Sequence, residues 1–389
     1  MIRRALLWAA DCAPVAVLAA LVACSSRTPS PLPAVGQEAS TGTLDATNES
    51  SGPGVLSGGD ANAAGEVGGG ASSNAADAAS IEASIGVGLS SKYPCDTGLA
   101  GDPAVYWLED FEEGTVSAVT ARYDSANNPP GMALVTDVPA TSCGRASMKL
   151  TAGTSANATD LYKKLVPAHD EWYVRYYAKY QRGVTWHHTG VWIGGYAPPS
   201  PYPNPQAGLR PNGDDRFSVS IEPVYGVGQP NPRFDFYNYW MGMHSWMDQP
   251  QGPTAYYGNS LVHRNSFTAD DDTWICIEVH VKLNTDLASS AGAVLEVWKN
   301  DALVQRFDES TPVGCWIKDK FCPAGVDGSE CTAYPNLCAQ PFVALDLQWR
   351  STSSLQLDAF WPQNYITQGP DGSVQYDDMV VAASRVGCH

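Results

Sequence analysis

The aromatic residues divide this chain into two parts that cannot fold alike. No Phe, Trp or Tyr occurs from Ser25 to Lys92, whereas eleven of the twelve tryptophans lie between Tyr93 and His389. A segment rich in Ser, Gly, Ala, Pro, Thr and Asp buries too little apolar surface to offset its conformational entropy. The sequence therefore predicts a disordered tether over residues 25–92, with an r.m.s. span of about 45 Å, and one folded domain over residues 93–389.

The first 24 residues have the features of an export signal. Two arginines precede an apolar run from Ala13 to Ala23, which is too short to remain as a membrane span. The stretch Leu21-Val-Ala-Cys24 resembles the bacterial lipobox, and this resemblance implies cleavage and lipidation at Cys24. Ser25 resembles the pattern of lipoproteins sent to the outer membrane. We therefore expect a cell-envelope protein of a Gram-negative bacterium, monomeric and held to the membrane by its lipid alone; the alternative is ordinary secretion with a chance cysteine.

Cysteine number and charge restrict the classes of protein further. Eight cysteines follow the signal, and an even number in an exported chain implies disulfides, although spacing leaves their connectivity open. The group Cys315, Cys322, Cys331 and Cys338 contains neither a C-x-x-C pair nor a histidine, which favours a cross-linked loop over a zinc site. The formal charge of −18 and the absence of any Lys/Arg run argue against a nucleic-acid partner.

The remaining patterning is that of an all-β domain. Segments rich in Val, Ile, Tyr, Phe and Trp alternate with period two and are separated by Pro, Gly and Asn clusters. They predict strands at Tyr106–Phe111, Ala146–Leu150, Trp172–Tyr180, Trp186–Ile193, Arg216–Glu222, Arg233–Trp240, Trp274–Leu283, Ala293–Trp298, Phe342–Arg350 and Met379–Ala383. Antiparallel strands at this density pack as a two-sheet β-sandwich, and a jelly roll is the expected architecture.

Several of these segments resemble successive strands of concanavalin-A-like polysaccharide lyases of the alginate and glucuronan lyase type. They are Leu108-Glu-Asp-Phe-Glu-Glu-Gly114, Gly144-Arg-Ala-Ser-Met-Lys-Leu150, the strand from Glu171 to Tyr180, and the later stretches Trp274–Thr285, Ala293–Asp301 and Tyr376–Ala382. The resemblance implies a jelly roll that cleaves a uronic-acid polysaccharide by β-elimination. Those enzymes often carry Gly-Gly-Lys-Leu-Pro-Gly-Leu after the long aromatic strand, whereas this chain has Trp186-His-His-Thr-Gly-Val-Trp-Ile-Gly-Gly195, so no catalytic lysine can be carried over.

A lyase of this type needs a group that neutralises the carboxylate, a base and an acid. In the segment Arg233–Trp240, alternation places Arg233, Asp235, Tyr237 and Tyr239 on one face. We therefore predict Tyr237 or Tyr239 as acid or base, with Arg233 near the carboxylate and Asp235 as a binding residue. The alternative is a structural aromatic strand.

His187 and His188 are the second candidate for the base or for neutralising the carboxylate. In an extended stretch their rings point to opposite faces, so at most one should face a cleft. Trp186 and Trp192 nearby would supply a sugar-stacking floor. A buried histidine without a catalytic role is the alternative.

Two further strands offer substrate-binding residues. Arg175, Tyr177 and Lys179 share a face with Tyr173 and predict a basic, aromatic stripe suited to an anionic glycan; a solvated sheet face is the alternative. Glu222 shares a face with Arg216, Ser218 and Ser220, which is either a cleft wall or the outside of the sheet. Glu278, His280 and Lys282 are expected to face solvent.

Acidic residues near both ends of the domain suggest a metal site. Glu109 and Asp110, with Asp377 and Asp378, resemble the structural calcium site of jelly-roll carbohydrate modules, in which first and last strands pair. Acids that cap turns are the alternative. No other cofactor is expected.

The leading hypothesis is a cell-surface polysaccharide lyase. A non-catalytic carbohydrate-binding or adhesion lipoprotein could use the same aromatic groove, since a fold does not fix a function. A glycoside hydrolase would need two carboxylates about 5 to 10 Å apart, such as Glu222 with Asp235 or Glu278. It ranks third, because the Glu-x-Asp-x-x-Glu strand of jelly-roll glucanases is missing.

Overall fold

The computed structural model describes residues 88–198, 207–246, 255–333, 338 and 341–389. The predicted signal peptide, the lipidation of Cys24 and the tether up to residue 87 lie outside the described residues. Residues 88–92, assigned above to the tether, belong to the folded domain, because Leu89 is buried and its backbone N–H donates to the carbonyl of Arg385 at 3.0 Å. Within the described part of the chain, no helix is both long and apolar enough to cross a membrane.

Among the described residues, the regular elements are seventeen strands and two short α-helices, with a few 3-10 turns. The helices are α1 (Val116–Thr120) and α2 (Ser329–Thr332). The strands are β1 (Val105–Glu109), β2 (Ser125–Asn127), β3 (Met132–Val135), β4 (Ser147–Ala152), β5 (Ala158–His169), β6 (Glu171–Tyr180), β7 (His188–Tyr196), β8 (Arg216–Tyr225), β9 (Arg233–Phe236), β10 (Trp274–Lys282), β11 (Val294–Lys299), β12 (Ala302–Asp308), β13 (Val313–Ile317), β14 (Lys320–Pro323), β15 (Val343–Ala344), β16 (Leu357–Tyr365) and β17 (Gly372–Ala382).

Two antiparallel sheets pack face to face, as the sequence predicted. The front sheet has the order β2-β5-β16-β7-β8-β9, and the back sheet has the order β12-β11-β10-β6-β17-β4-β3 with β1 added against β17. Their inner faces follow the period-two pattern, with Trp172 and Tyr176 from β6 and Phe217 and Val219 from β8 in the shared core. The β-sandwich of jelly-roll type is thereby confirmed.

The strand predictions differ from the structure in several places, of which two involve long segments. Of the segment Phe342–Arg350, only Val343–Ala344 is a strand, and the apolar residues that follow enter the core without ladder pairing. The long strands β5 and β16, both in the front sheet, were missed because their alternation is interrupted by lysines or by a proline.

All eight cysteines of the folded domain are paired. The disulfides are Cys95–Cys143, Cys276–Cys388, Cys315–Cys338 and Cys322–Cys331. The last two cross-link the segment that follows β12, so the cross-linked loop is confirmed and those thiolates are not available to zinc.

Candidate active site on the front sheet

The outer face of the front sheet carries a cluster of residues that are far apart in the sequence. In the register of β16, β7 and β8, Tyr365 lies opposite His188, and Trp361 lies opposite Trp192, which in turn lies opposite Ser220. Beyond the end of β9, the backbone N–H of Tyr237 donates to the carbonyl of Ser220 at 2.9 Å. Paired residues in an antiparallel sheet point to the same face, so histidine, tyrosine and tryptophan side chains converge there.

A buried carboxylate orients one histidine of this cluster. His188 Nδ1 lies 3.0 Å from Glu222 Oε2, and Glu222 is fully buried while His188 is partly exposed. The two side chains meet across Gly190, whose missing side chain is required because a Cβ there would lie 2.2 Å from the carbonyl oxygen of Ile221. A carboxylate can only accept, so Nδ1 carries the hydrogen and Nε2 of the neutral ring is left as an acceptor.

Two tyrosines stand beside this pair, as alternation along the strand predicted. The Tyr237 ring centroid is 4.6 Å from that of His188, and the Tyr237 and Tyr239 hydroxyls are 3.5 Å apart. Tyr239 is buried, whereas Tyr237 is partly exposed. Gly258 lets the chain pass against the Tyr237 ring, since a Cβ there would lie 2.4 Å from a ring carbon. Tyr237 is therefore held in place while its edge remains accessible.

Both histidines lie in the cluster, which corrects the expectation that only one could face a cleft. The rings of His187 and His188 stack with centroids 4.1 Å apart, and Tyr365 continues the stack at 5.9 Å from His188. The reason is that β7 begins at His188, so His187 belongs to the preceding turn and does not follow strand alternation.

The same face holds buried polar atoms that lack partners. Ser218 Oγ, Ser220 Oγ, Glu222 Oε1 and Trp192 Nε1 have no hydrogen-bond partner among the described residues. Leaving such an atom unsatisfied costs about 1–3 kcal/mol, and buried polar groups are normally satisfied by protein or water. The four atoms lie on β7 and β8, the strands that also carry His188.

The two tryptophans predicted as a stacking floor have different roles. Trp186 is buried and packs edge-on against Tyr180 in the core, so it cannot stack on a ligand. Trp192 lies on the same face as His188 but is also buried, and its ring packs against that of the partly exposed Trp361 with centroids 6.1 Å apart. Together with Tyr196 they border a shallow depression.

Arg233 and Asp235 are engaged in structural contacts, which corrects their assignment to the site. Arg233 donates to both carboxylate oxygens of Glu330, at 3.0 and 2.6 Å. Asp235 lies opposite Glu222 in the register, but its oxygens accept from four backbone N–H groups, those of Phe236, Leu261, Val262 and His263, at 2.7–2.8 Å. Asp235 therefore anchors the loop beside Tyr237, and a second carboxylate for glycoside hydrolysis is not free at this position.

Arg175, Tyr177 and Lys179 share a face as predicted, but it is the outer face of the back sheet. Arg175 is fully buried and pairs with Asp96, and Lys179 pairs with Asp137 at 2.7 Å. The Tyr177 hydroxyl donates to the carbonyl of His389 and accepts from its backbone N–H. These residues fasten the ends of the domain to the back sheet and are separated from the site by the core.

The back sheet also buries a histidine between two carboxylates, although the sequence placed this residue in solvent. His280 Nε2 lies 2.9 Å from Glu171 Oε1, its Nδ1 contacts Glu296, and its ring stacks on Tyr173 at 3.9 Å. Burial acts to lower the pKa of His280, but the hydrogen bonds and charges of Glu171 and Glu296 outweigh it and raise the pKa.

We expect this network to make folding stability depend on pH. Because the pKa of His280 is raised on folding, its contribution is fully present below the ordinary value of about 6.5 and is lost as pH rises through the folded value. Each unit of the shift corresponds to about 1.4 kcal/mol. Urea unfolding of the domain from about pH 6 to 9 should show this loss, and His280→Gln should remove it. Equal slopes for both proteins would contradict the prediction.

The residues proposed for calcium do not form one donor set. β1 pairs with β17 as expected, but Asp378 accepts from His389 Nε2 at 3.1 Å and groups with Asp96. Glu109 and Asp110 group instead with Glu113, where the guanidinium of Arg122 already contacts Glu109 at 2.9 Å. Burial and the charges of Asp378, Glu112 and Asp110 raise the pKa of Asp377, which therefore lies near Asp110. The calcium site stays a prediction.

The site also contains three residues that the sequence did not single out, Trp361, Gln363 and Tyr365 of β16. Arg216, which the sequence placed on the same face of β8 as Glu222, is paired with Asp215. The aromatic pair Phe360-Trp361 favours a strand, but Pro362 interrupts the pattern, so β16 was not predicted.

Known proteins provide the following comparison. No family model matches the chain, and no curated protein matches it. Among solved structures, it is similar to alginate lyase Aly36B, with 13% identity over 73% of this chain and 95% of that chain and a TM-score of 0.42. It is also similar to the PL-14 alginate lyase from Aplysia kurodai, with 11% identity over 72% of this chain and 99% of that chain and a TM-score of 0.42. A third similar structure is the endo-β-1,4-glucuronan lyase from the fungus Trichoderma reesei, with 11% identity over 72% of this chain and 96% of that chain and a TM-score of 0.35. The resemblance to alginate and glucuronan lyases is confirmed.

Proposed function

We propose that this domain is a polysaccharide lyase that cleaves a uronate-containing glycan by β-elimination. The observation that carries the proposal is the convergence of the partly exposed His188 and Tyr237 with the buried Glu222 on one sheet face. A histidine fixed by a carboxylate and an accessible phenol beside it are a base and an acid within reach of one sugar ring. The unpartnered hydroxyl of Ser220 adds a donor at the same place.

His188 is assigned as the base. Its Nε2 takes the proton from the carbon next to the uronate carboxylate, and Glu222 stabilises the imidazolium that forms. The electron pair left on that carbon forms a double bond to the neighbouring carbon as the bond to the glycosidic oxygen breaks. Tyr237 donates its hydroxyl proton to that oxygen, and both side chains then recover their resting protonation by exchange with water.

The uronate carboxylate needs hydrogen-bond donors or a cation while negative charge develops. Arg233 cannot supply this charge, since Glu330 holds it. Gln363 lies opposite Gly190, on the sheet face that carries His188. Ser220 lies on the same face, two residues before Glu222 in β8. We assign these two side chains as the donors to the carboxylate. Arg216 lies at the start of β8, about 20 Å from Glu222 at 3.3 Å per residue, and would contact a more distant sugar.

The experiment is an assay of the purified domain on a panel of uronic-acid polysaccharides. Elimination creates an unsaturated uronate that absorbs in the ultraviolet, whereas hydrolysis releases reducing ends without this absorbance. Absorbance with any member of the panel supports the lyase. Reducing ends without absorbance would favour a hydrolase, and measurable binding without either product would favour the carbohydrate-binding alternative.

We also propose that the protein is exported and anchored through Cys24. The support is the apolar run that ends in Leu21-Val-Ala-Cys24, followed by a segment without aromatic residues that suits a tether. Expression in a Gram-negative host with labelled palmitate should label the wild-type chain but not Cys24→Ser. Label on both proteins, or on neither, would overturn the assignment.

A further inference from the structure

Arg210, in the loop that precedes β8, carries a charge that the rest of the described chain does not pair. Its guanidinium carbon is 5.5 Å from the centroid of the Tyr256 ring, which is within the range of a cation–π contact. Among the described residues, no carboxylate lies within ion-pair distance of Arg210, whereas the nearby Arg216 is held by Asp215. Arg210 is therefore a cation that can still pair with an anionic ligand.

Hydrogen bonds from the backbone fix the position of this arginine. The N–H of Gly208 donates to the carbonyl of Tyr256 at 2.7 Å, and the N–H of Tyr256 donates to the carbonyl of Gly208 at 3.4 Å. The Arg216 side chain donates to the carbonyl of Leu209 at 3.3 Å. The loop is thereby tied both to the chain that follows β9 and to the start of β8, so its arginine has a defined place.

This place is close to the acid–base cluster. Tyr256 precedes Gly258 by two residues, and Gly258 lies against the Tyr237 ring. Two residues of extended chain span about 7 Å. A glycan that has one sugar at Tyr237 and His188 therefore brings a nearby sugar of the same chain to Tyr256 and Arg210.

The surface around the arginine is open to solvent. Leu209 is 57% exposed, Arg210 is exposed, and Tyr256 is partly exposed. A Cβ built at Gly208 would meet no atom within 4 Å, so free space adjoins the contact between the loop and Tyr256. A sugar can therefore reach the guanidinium without a rearrangement of the domain.

The chemistry of this arrangement suits a carboxylate. An arginine that rests one face on an aromatic ring keeps its N–H edge for a planar, bidentate contact. The contact with Tyr256 also restricts the side chain before a ligand arrives, which lowers the entropic cost of binding. Because the whole chain has a formal charge of −18, long-range electrostatics disfavour an anionic glycan, and a local cation is needed to hold it.

We infer that Arg210, placed on Tyr256, is a second carboxylate-binding position that holds a uronate near the one that is cleaved. This inference rests on the proposed lyase function and names a specificity-determining residue for it. The reacting uronate lies at His188 and Tyr237, and the second uronate places its carboxylate at the free edge of the guanidinium.

The test uses the uronic-acid polymer that is eliminated fastest, in its native form and after most of its carboxyl groups have been reduced to hydroxymethyl groups. Arg210→Gln should raise KM on the native polymer about three- to tenfold, with kcat little changed, because one charge-assisted contact at an exposed position is lost. On the reduced polymer, most neighbours of a remaining uronate are neutral, so the variant and wild type should have similar KM values.

Arg145→Gln is the matched control. It removes the same charge from a side chain that is 90% exposed and 3.6 Å from Glu112, next to β4 of the back sheet, and should leave both KM values unchanged. An unchanged KM in Arg210→Gln, an equal rise on both polymers, or an equal rise in Arg145→Gln would overturn the inference while leaving the lyase intact.

A failure of the proposed function has a different signature. If no polymer is eliminated, the lyase fails, and tryptophan fluorescence titration with polyglucuronate and polymannuronate decides the role of the arginine. Weaker binding by Arg210→Gln than by both wild type and Arg145→Gln then supports the carboxylate-binding position. Equal binding by the three proteins, or no binding by wild type, overturns it.

Discussion

Tyr237→Phe is expected to lower the rate of elimination by about 10²–10⁴-fold while leaving the unfolding temperature close to that of wild type. The substitution removes only the hydroxyl, which is 3.5 Å from the Tyr239 hydroxyl and is assigned to protonate the glycosidic oxygen. The ring would still pack against Gly258 and His188. Steady-state kinetics should therefore show the loss in kcat, with KM little changed.

The control for this prediction is Tyr106→Phe, which removes a phenol stacked on His169 at 3.8 Å, outside the front-sheet site. Its activity should match that of wild type.

A companion variant, Glu222→Gln, tests the orientation of His188, since an amide can offer Nδ1 an acceptor but no charge. We expect it to lower kcat and to shift the pH profile of kcat. Full activity in Tyr237→Phe would remove this tyrosine from the mechanism.

Asp235→Ala is expected to destabilise the domain by about 4 kcal/mol or more, because four buried backbone N–H groups would lose their acceptor at about 1–3 kcal/mol each. These groups belong to Phe236 and to the loop 261–263. Urea unfolding followed by tryptophan fluorescence measures the change in free energy.

Asp235→Asn is the matched control for this loss. Its remaining carbonyl oxygen can replace Oδ1, which accepts three of the four hydrogen bonds, so we expect a clearly smaller destabilisation. A loss below about 1 kcal/mol in Asp235→Ala would show that other contacts hold the loop. The comparison also tests the reassignment of Asp235 from substrate binding to a structural role.

Much of the fold was readable from the sequence because strand alternation is a local property. The period-two pattern of Arg216–Glu222 placed Phe217 inside and Glu222 on the opposite face, and the structure agrees. Alternation also placed Tyr237 and Tyr239 together. It failed for His187, because a turn does not alternate, and for β16, where Pro362 interrupts the pattern.

The position of each strand within the sandwich could not be predicted from the sequence. That position decided which candidate residues form the site. Arg175 was predicted to bind the glycan and Tyr237 to act as acid or base, yet β6 lies in the back sheet, where Arg175 is buried and pairs with Asp96. Arg233 alternates with Tyr237 but meets Glu330, which is 97 residues later in the chain. Alternation cannot reveal such partners, because it says nothing about distant segments.

The sequence by itself determined that the folded part is a β-sandwich, which side chains of several strands share a face, and that its cysteines pair. These features depend on backbone geometry, on the apolar pattern and on cysteine number. Only the tertiary structure decided that His188 meets Glu222 and Tyr237. These residues come from β7, β8 and the chain after β9, which become neighbours through strand order in the sheet, and strand order is set by pairing and burial over the whole domain.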